Sequence, residues 1–373
     1  MSNTLSCNGE SLHFVMAKMR GDDSLEKIWS TLELESDTNF FISWNWIESW
    51  LRVMKPCVSV CKVYSGKRIV ALGLFVISNA TRHRILRITQ LRLQTVGDDK
   101  KDQIWPEYNN MLVARGFESA VYQGLIGFMD KQAKSAWDEF VLGPIDESLL
   151  KWVSADNYYS YNIWEEPTYG IDFLDIRAKN QCYLDSLSKN TRYQIRRAIR
   201  DYGEGLAMVV AGSKEEALQF FQGISTFHKQ RWRDASGFHN PFFVEFHRDL
   251  IAEGFDNGVI ELVRLQVGNV DIGYLYNFIY NNKVYFYLSG IDLVTENKRK
   301  PGLVLHALCI QRHLELGADS YDFLGGQARY KESLGSQNGM LVVTAYQKPL
   351  FKLRVEQVAR RLKHYVQTKV LSN

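Results

Sequence analysis

The order of predicted structural elements occurs twice along this chain, and this repetition constrains the fold more than any other feature. In the first half, amphipathic helices over residues 24–34 and 43–53 precede antiparallel β runs, a further helix and a short strand. In the second half, helices over 190–202 and 213–233 precede three β runs, a helix over 302–316 and further strands. No close sequence repeat links the halves. The pattern nevertheless predicts two copies of one α/β unit.

The 373 residues suit two domains, at roughly 100–200 residues per domain. We expect an N-terminal unit over residues 1–175, a second unit over 176–349, and a basic amphipathic helix over 350–373. That helix would dock on the second unit or lie on an anionic membrane surface. The longest apolar run covers residues 69–77, too short for a membrane span, and the first residues lack a signal-peptide pattern. We expect the protein in the cytoplasm, including the inner face of the membrane.

Charge is distributed unevenly between the two halves. Residues 1–180 hold 20 Lys and Arg against 23 Asp and Glu, whereas residues 181–373 hold 25 against 19. The basic half is therefore the better place for an anionic ligand. The excess is small and dispersed, which argues against DNA as a partner. A hydrophobic content of 46% and a charged content of 23% exclude a disordered chain.

The most informative segment is the basic loop NKRKPG, which follows a predicted strand and precedes a predicted helix. A helix N-terminus offers backbone N–H groups to an anion, and Gly302 allows the ligand to approach closely. Lys298, Arg299 and Lys300 would supply countercharge. The alternative is a solvated basic loop that Pro301 and Gly302 simply end.

The motifs between residues 284 and 335 occur in a familiar order: Arg299-x-x-Gly302, a helix, Asp322-Phe323, two glycines, and Tyr330-Lys331. Together they resemble the second half of a GNAT-superfamily acyltransferase domain. More narrowly, the chain is similar to the CelD/BcsL group, named for cellulose biosynthesis, which is related to the FemABX peptidyltransferases. The resemblance covers about residues 40–345 and includes three further segments: RYQIRRAIR at 192–200, His228-x-x-Arg231-Trp232, and Y-x-S-G-x-D at 287–292.

The resemblance implies an α/β fold of two tandem GNAT-like domains, each a mixed, mostly antiparallel sheet flanked by helices. The N-terminal copy would lack a cofactor loop. The second copy would bind acetyl-CoA or another acyl-CoA as co-substrate, without a metal, through a loop that comprises Lys298, Arg299, Lys300, Pro301, Gly302 and Val304. The family's loop usually ends in Gly or Ala. Val304 at that position implies a looser CoA contact or a different acyl donor.

Four residues are candidates for the chemistry of acyl transfer. The resemblance places Tyr330 near the leaving group, where a phenol with a pKa near 10 matches a proton donor to a thiolate. Lys331 would hold an anionic acceptor or developing negative charge. Asp322 would orient Lys331, act as a base, or form a structural ion pair, and Asp292 would be a second base or a turn cap. Tyr330 and Lys331 also have ordinary packing and surface alternatives.

Candidate acceptor-binding residues come from two helices and one strand. His228, Arg231 and Trp232 share one helix face and would line an acceptor pocket or pack a helix end. Tyr287, in the Y-x-S-G-x-D segment, is assigned to the same pocket. The stripe that contains Arg192 and Arg196 would hold a phosphate or sugar nucleotide, or form a solvated helix face; both residues are retained as acceptor-binding candidates.

The leading functional hypothesis is an acyl-CoA-dependent N- or O-acyltransferase, with acetyl transfer favoured. Its acceptor would be an amino sugar, a sugar nucleotide, a polysaccharide precursor or another small envelope metabolite. Direct attack in a ternary complex is expected, because no Cys or Ser in residues 284–335 has a nucleophile motif. The alternatives are a FemABX-like transferase that uses aminoacyl-tRNA, and a non-catalytic GNAT-like regulator of envelope polysaccharide synthesis. Transfer-RNA binding would require many phosphate contacts.

Overall fold

We number fourteen strands and ten α-helices in the described part of the chain. The computed structural model describes residues 4–7, 10–19, 24–132, 137–294, 299–358 and 360. The strands are β1 Thr4–Cys7, β2 Glu10–Lys18, β3 Val58–Ser65, β4 Arg68–Arg82, β5 Leu86–Leu93, β6 Leu112–Val113, β7 Glu139–Asp146, β8 Tyr159–Asp172, β9 Leu206–Val210, β10 Ile260–Val267, β11 Val270–Tyr280, β12 Lys283–Ile291, β13 Ser320–Gly325 and β14 Ser336–Gln347. The helices are α1 Ser24–Leu34, α2 Trp44–Met54, α3 Glu118–Gln132, α4 Phe173–Ala178, α5 Tyr183–Ser186, α6 Lys189–Tyr202, α7 Lys214–Trp232, α8 Pro241–Gly254, α9 Pro301–Glu315 and α10 Arg329–Leu334. Residues 351–358 are also helical.

Local sequence explains where the helices around the later site begin and end. The Ser213 side chain caps α7 by accepting a hydrogen bond from the Glu216 N–H at 3.2 Å. Ser188 caps α6 in the same way, by accepting from the Thr191 N–H at 3.2 Å. Helix α6 ends at Gly203, whose φ of +72° favours glycine.

All the strands belong to one mixed sheet, in the order β1-β2-β3-β4-β5-β7-β14-β8-β13-β12-β11-β10-β9, with β6 beside β4. Each half contains one parallel pair. Strands β5 and β7 are parallel, as are β12 and β13, whereas the other pairs between named strands are antiparallel. The predicted α/β fold of two GNAT-like units with mostly antiparallel sheets is confirmed.

The two halves exchange strands at the centre of this sheet. Strand β8, which precedes the predicted boundary near residue 175, lies between β14 and β13 of the second half. Strand β14, the last strand in the described residues, lies between β8 and β7 of the first half. Neither half therefore completes its sheet from its own segment, and the division at residues 175 and 176 stays a prediction.

The buried side chains form two clusters. The larger cluster contains residues of both halves, including Trp29, Trp46 and Phe278. The second cluster lies between α9 and the sheet, and it includes Val304 and Ile310 of α9 itself. Because α9 rests on this second cluster, its N-terminus is held at a fixed position relative to β12 and β13.

The predicted C-terminal helix is described only in its first part. Leu353 and Glu356 are buried, and Glu356 binds Arg82 of the first half at 3.3 Å, while residues 361–373 lie outside the described residues. No helix in the described ranges has the length and hydropathy of a membrane span.

Candidate active site

A cavity of about 1210 Å³ opens where β12 and β13 separate. The two strands pair only over Lys283–Tyr285 and Ser320–Asp322. Beyond that pairing, the opening is surrounded by the starts of α6 and α9, the C-terminal end of α7, helix α10 and a loop of the first half. Eight residues selected from the sequence line it: His228, Arg231, Trp232, Tyr287, Lys300, Gly302, Tyr330 and Lys331.

A β-bulge in β13 shapes the floor of this cavity. The pairing of β13 with β8 shifts register between Asp322 and Gly325. Within the bulge, Leu324 adopts a φ of +63°, a conformation that costs a non-glycine residue about 1–3 kcal/mol. The Asp322 carboxylate stabilises the bulge by accepting the Leu324 N–H at 2.7 Å. The strained backbone directs two carbonyl groups toward Lys331.

Lys331 is buried beside the bulge. Its ammonium group donates to the Gly325 carbonyl at 2.5 Å and to the Leu324 carbonyl at 3.3 Å. Burial lowers the pKa of Lys331, while the Glu107 and Asp322 carboxylates oppose that shift. Lys331 therefore fixes the backbone of the cavity floor and brings positive charge close to Glu107.

Glu107 is a functional candidate that the sequence analysis did not identify. It comes from the polar loop between β5 and β6 of the first half, and it lines the cavity in the second half. Its Oε2 accepts the Gly325 N–H at 2.6 Å. Burial raises the pKa of Glu107 to about 7, against the opposing effects of that hydrogen bond and the Lys331 charge. A carboxylate that titrates near neutral pH is suited to general-base chemistry.

Tyr330 packs in an aromatic group at the cavity wall. Its ring stacks on His306 with centroids 5.3 Å apart, and it contacts Phe286 and Phe323 edge-on. Burial raises the pKa of Tyr330, so the phenol stays protonated at neutral pH and can donate a hydrogen bond. Burial lowers the pKa of His306 to about 3, which leaves the stacked imidazole neutral.

The structure does not bring Asp322 or Asp292 into this cavity. Asp322 lines a separate cleft of about 1250 Å³ and accepts the Tyr108 hydroxyl at 2.8 Å. Burial raises the pKa of Asp322. Asp292 follows β12 and accepts the Val294 N–H at 3.1 Å, as a turn-capping residue does. The roles of both carboxylates in catalysis stay predictions, and Glu107 is the carboxylate found in the cavity lining.

The face formed by His228, Arg231 and Trp232 borders the cavity as the helical spacing predicts. His228 Nδ1 lies 2.8 Å from the Ser236 hydroxyl, and burial lowers the pKa of His228 to about 4. Trp232 is 52% exposed, so much of its indole is available to a ligand. Tyr287 is held from behind, because its hydroxyl donates to the Ile104 carbonyl at 2.6 Å.

Arg192 and Arg196 lie outside the cavity lining. Both guanidinium groups bind Asp185 Oδ1 at 3.2 Å. The part of α6 that lines the cavity instead presents Asn190, Thr191 and Gln194. The arginine stripe thus forms a charged helix face, and its assignment to the acceptor stays a prediction without a cavity contact.

The predicted cofactor loop reaches the cavity at the start of α9. Lys300 precedes the helix in the left-handed conformation, with φ +51°, and Pro301 occupies its first turn. A Cβ added at Gly302 would be no closer than 3.7 Å to Ile291, so protein packing alone does not require glycine there. Arg299 lies over the Tyr202 ring at 5.5 Å. Lys298 lies outside the described residues.

Val304 faces away from this loop surface. Its side chain is fully buried in the second cluster, and its N–H donates to the Lys300 carbonyl at 3.2 Å. The valine that replaces the usual Gly or Ala therefore packs into the core, and its side chain leaves the loop surface unobstructed.

One group of side chains in the described ranges has metal-binding spacing. The ligand atoms of Glu261, Cys309 and His313 lie within 4.8 Å of one another. However, Glu261 already binds Arg312 at 2.6 Å and His313 at 2.8 Å. We assign this group to holding α9 on the sheet by buried ionic contacts.

The comparisons with known proteins agree with this geometry. Residues 189–332 match the family model of an acetyltransferase (GNAT) domain, and no curated protein matches the chain in sequence. FemX has a similar structure, with a TM-score of 0.60 at 10% identity over 92% of this chain and 99% of FemX. L-PGS from Bacillus licheniformis has a TM-score of 0.52 at 13% identity over 91% of this chain and 96% of that one. A conserved protein of unknown function from Bacteroides thetaiotaomicron gives 0.53 at 10% identity over 90% and 100%.

Residues 189–332 thus match a GNAT acetyltransferase domain, and the fold of the whole chain is similar to that of FemX. The domain match supports a GNAT-type acyltransferase. The narrower resemblance to the CelD/BcsL group is not tested by these comparisons and stays a prediction.

Proposed function

We propose that the protein transfers an acetyl or other acyl group from acyl-CoA to an amine or hydroxyl of a small acceptor bound in the cavity. The observation that carries this proposal is Glu107, a cavity carboxylate whose pKa burial raises to about 7. A base with that pKa is half deprotonated at neutral pH, and it can take a proton from an attacking nucleophile.

The proposed reaction is a direct attack in a ternary complex. Glu107 takes the proton of the acceptor as the acceptor nitrogen or oxygen attacks the thioester carbon. The carbonyl electron pair moves onto oxygen, and the resulting tetrahedral intermediate expels the CoA thiolate. Tyr330 stabilises that thiolate by donating its phenol hydrogen bond, and solvent completes its protonation at neutral pH. Lys331 acts as a positioning residue through the Leu324 and Gly325 carbonyls.

We assign the donor to the side of the cavity next to α9. The start of that helix attracts phosphate, and the cation of Lys300 borders the cavity beside Gly302. Arg299 and Lys298 belong to the same proposed loop. With its apolar side chain in the core, Val304 would contribute backbone alone.

We assign the acceptor to the side formed by the end of α7. The half-exposed Trp232 indole and the Arg231 guanidinium suit a polar ring with an anionic substituent. This chemistry supports an amino sugar, sugar nucleotide or other polysaccharide precursor as acceptor. The cytoplasm is the proposed place of the reaction. No metal is required by the proposed steps.

Thiol release from acetyl-CoA tests the proposal directly. The wild-type chain would be assayed with a panel of amino sugars and sugar nucleotides, and the acylated product identified by mass spectrometry. Glu107→Gln should lower kcat/KM by roughly 10²–10⁴ and leave acetyl-CoA affinity unchanged. Glu118→Gln is the matched control, because Glu118 also accepts a backbone N–H, that of Gly116 at 2.9 Å, but does not line the cavity.

Two results would contradict the proposal. Full activity of Glu107→Gln would remove the base from the mechanism. Binding of acetyl-CoA without thiol release, with every acceptor in the panel, would favour a ligand-binding regulator of envelope polysaccharide synthesis over an enzyme.

The fold favours one second candidate, an aminoacyl-tRNA-dependent transferase. FemX aligns over 92% of this chain, and the resemblance to FemABX peptidyltransferases suggests an aminoacyl ester in place of a thioester. Glu107 would activate the acceptor amine in the same way. Transfer from charged tRNA that falls steeply with salt, together with no thiol release from acetyl-CoA, would support this candidate.

A further inference from the structure

The helix over residues 351–358 presents an apolar face to solvent and packs its other face on the protein. Phe351, Val355 and Val358 are 83%, 54% and 57% exposed, and their spacing of four and three residues places them on one face. The opposite face carries Leu353 and Glu356, both buried. A helix that only covers its own domain has the reverse pattern, with polar residues outside.

Ionic contacts fix this orientation. Glu356 binds Arg82 at 3.3 Å and Arg360 at 2.8 Å, and Arg82 also binds the buried Glu139 at 2.6 Å. A rotation that hid the apolar face would separate Glu356 from Arg82 and break this buried ion pair, which is costly. The outward position of Phe351 and Val355 is therefore imposed by the structure.

The hairpin between β4 and β5 extends the same surface. The Lys352 ammonium group donates to the Arg87 carbonyl at 3.1 Å, and His83 Nε2 lies 3.7 Å from Glu356. These contacts hold the hairpin alongside the helix. Ile85, at the hairpin tip, is 85% exposed, so both elements present apolar side chains to solvent.

Exposed cations accompany these apolar side chains. Arg84 and Arg87 lie on the hairpin, and Lys352 and Arg354 flank the outer face of the helix. The nearby carboxylates face inward: Glu139 and Glu356 are buried, and Asp138 is bound by Lys352. The surface therefore combines protruding aliphatic and aromatic groups with a positive charge.

We propose that this basic apolar face, formed by Ile85, Phe351, Val355 and Val358 with Arg84 and Arg354, docks on a bilayer surface that contains anionic lipids. The apolar groups would enter the headgroup boundary, and the cations would attract the lipid charge. A symmetric contact between two copies would instead bring like charges together. The inference is independent of the proposed reaction, because none of these residues lines the active-site cavity.

Vesicle co-sedimentation of the full chain tests this inference, using phosphatidylcholine vesicles with and without phosphatidylglycerol. The wild type should bind the anionic vesicles at least about tenfold more tightly, and binding should weaken as salt rises. Phe351→Ser with Val355→Ser should reduce that binding about tenfold or more. Arg84→Gln with Arg354→Gln should reduce it roughly 25-fold, since each cation contributes about fivefold.

The matched control is Val270→Ser with Leu316→Ser, which removes two apolar side chains that are each 64% exposed elsewhere. It should bind like the wild type, and thermal melts would confirm that all variants fold. Equal binding by the Phe351 and Val355 variant would overturn the inference, as would no wild-type binding to anionic vesicles. A dimer that this variant dissociates, without any vesicle binding, would overturn it in favour of a second copy.

Discussion

The two parallel strand pairs of the sheet, one in each half, end differently. In the second half, β12 and β13 separate after three residue pairs and enclose the 1210 Å³ cavity. In the first half, β5 and β7 also pair over three residues, Gln90–Arg92 with Glu139–Val141. Beyond that point their separation is closed by protein. The same strand arrangement thus leaves a cavity in one half and is closed by hydrogen-bonded protein in the other.

Asn109 closes the opening of the first half. Its Nδ2 donates to the Leu93 carbonyl at 2.9 Å and to the Gly143 carbonyl at 3.3 Å. Its Oδ1 accepts from Gln94 Nε2 at 2.8 Å, and its own N–H donates to the Pro144 carbonyl at 2.6 Å. One buried amide therefore replaces the missing strand contacts on both sides of the gap.

The loop that contains Asn109 and closes the gap in the first half also contributes residues to the second half. Glu107 precedes Asn109 by two residues and lines the cavity of the other half, while Tyr108 binds Asp322. One loop of the first half therefore closes the gap between β5 and β7 and also supplies the proposed base to the cavity of the second half. The contrast between the halves can be tested at both openings.

The largest expected effect is a loss of turnover from a substitution in the cavity of the second half. Tyr330→Phe keeps the stacked ring but removes the hydrogen-bond donor, so turnover should fall by roughly 10²–10⁴ with little change in cofactor affinity. The measurement is kcat and KM for thiol release. The control is Tyr346→Phe, which removes the hydroxyl of a buried tyrosine on β14 that does not line the cavity. This variant should keep wild-type activity. Equal turnover of Tyr330→Phe and wild type, with chemistry rate-limiting, would return Tyr330 to a packing role.

The second effect is the pH dependence that Glu107 gives to the open half. Because the pKa of Glu107 is raised to about 7, kcat/KM should rise about tenfold per pH unit below 7 and level off above it. Glu107→Gln should remove this limb. Relative to its ordinary value near 4.5, the raised pKa means that the folded chain binds more protons between about pH 4.5 and 7. This group therefore lowers stability as pH rises through that window.

Measuring both stability and activity against pH shows whether Glu107, rather than another group, is responsible for the titration near pH 7. The Gln variant should lose less stability than wild type between about pH 5 and 7, as followed by thermal melts. An activity limb near pH 7 that survives in Glu107→Gln would assign the titration to another group.

In the second half, which contains the cavity, the sequence predicts the helices well but does not identify the proposed general base, Glu107. The predicted helix over 302–316 is Pro301–Glu315, and that over 190–202 is Lys189–Tyr202, because caps and apolar periodicity are local signals. Glu107 had no such signal. It meets Gly325 from 218 positions away, and only the tertiary arrangement creates that contact.

Long-range pairing also explains the other gaps in the prediction. Strand β2 was not predicted near the N-terminus, and Tyr159–Asp172 was not recognised as β8, because its long exposed stretch lacks a clear alternation. The stripe of Arg192 and Arg196 has the right chemistry for an anion, but Asp185 of the preceding helix binds both. The sequence spacing correctly places these arginines on one face of the helix, but it cannot show that Asp185 binds them.

A third prediction concerns the closed half. Asn109→Ala leaves the Leu93 and Gly143 carbonyls without their side-chain donor and should lower the free energy of unfolding by roughly 2–3 kcal/mol. Acetyl-CoA affinity should stay close to that of wild type, since the donor side of the cavity lies in the other half. Chemical denaturation and calorimetry measure the two quantities. Asn257→Ala changes an exposed asparagine in the turn after α8 and should leave both quantities unchanged. Unchanged stability of Asn109→Ala would show that the bridge does not hold the opening closed.

The smallest expected effect lies at the helix that follows the first strand of each parallel pair. Helix α3 begins with Glu118 in its first turn, whose carboxylate accepts the Gly116 N–H at 2.9 Å and would repel an anionic ligand. Helix α9 has no acidic residue in its first turn and follows Arg299 and Lys300. Only the second helix start therefore suits a pyrophosphate.

Arg299→Ala with Lys300→Ala should weaken acetyl-CoA binding about three- to tenfold, and more at low salt, because screening is weakest there. Calorimetry at two salt concentrations measures this effect. The control is Lys62→Ala with Lys67→Ala, which removes the same net charge from the first half and should change the affinity little. If both pairs weaken binding equally, the loss reflects the net charge of the protein, and the pyrophosphate does not lie at the start of α9. If only the loop variant weakens binding, the electrostatic difference between the two helix starts explains why one half binds the donor.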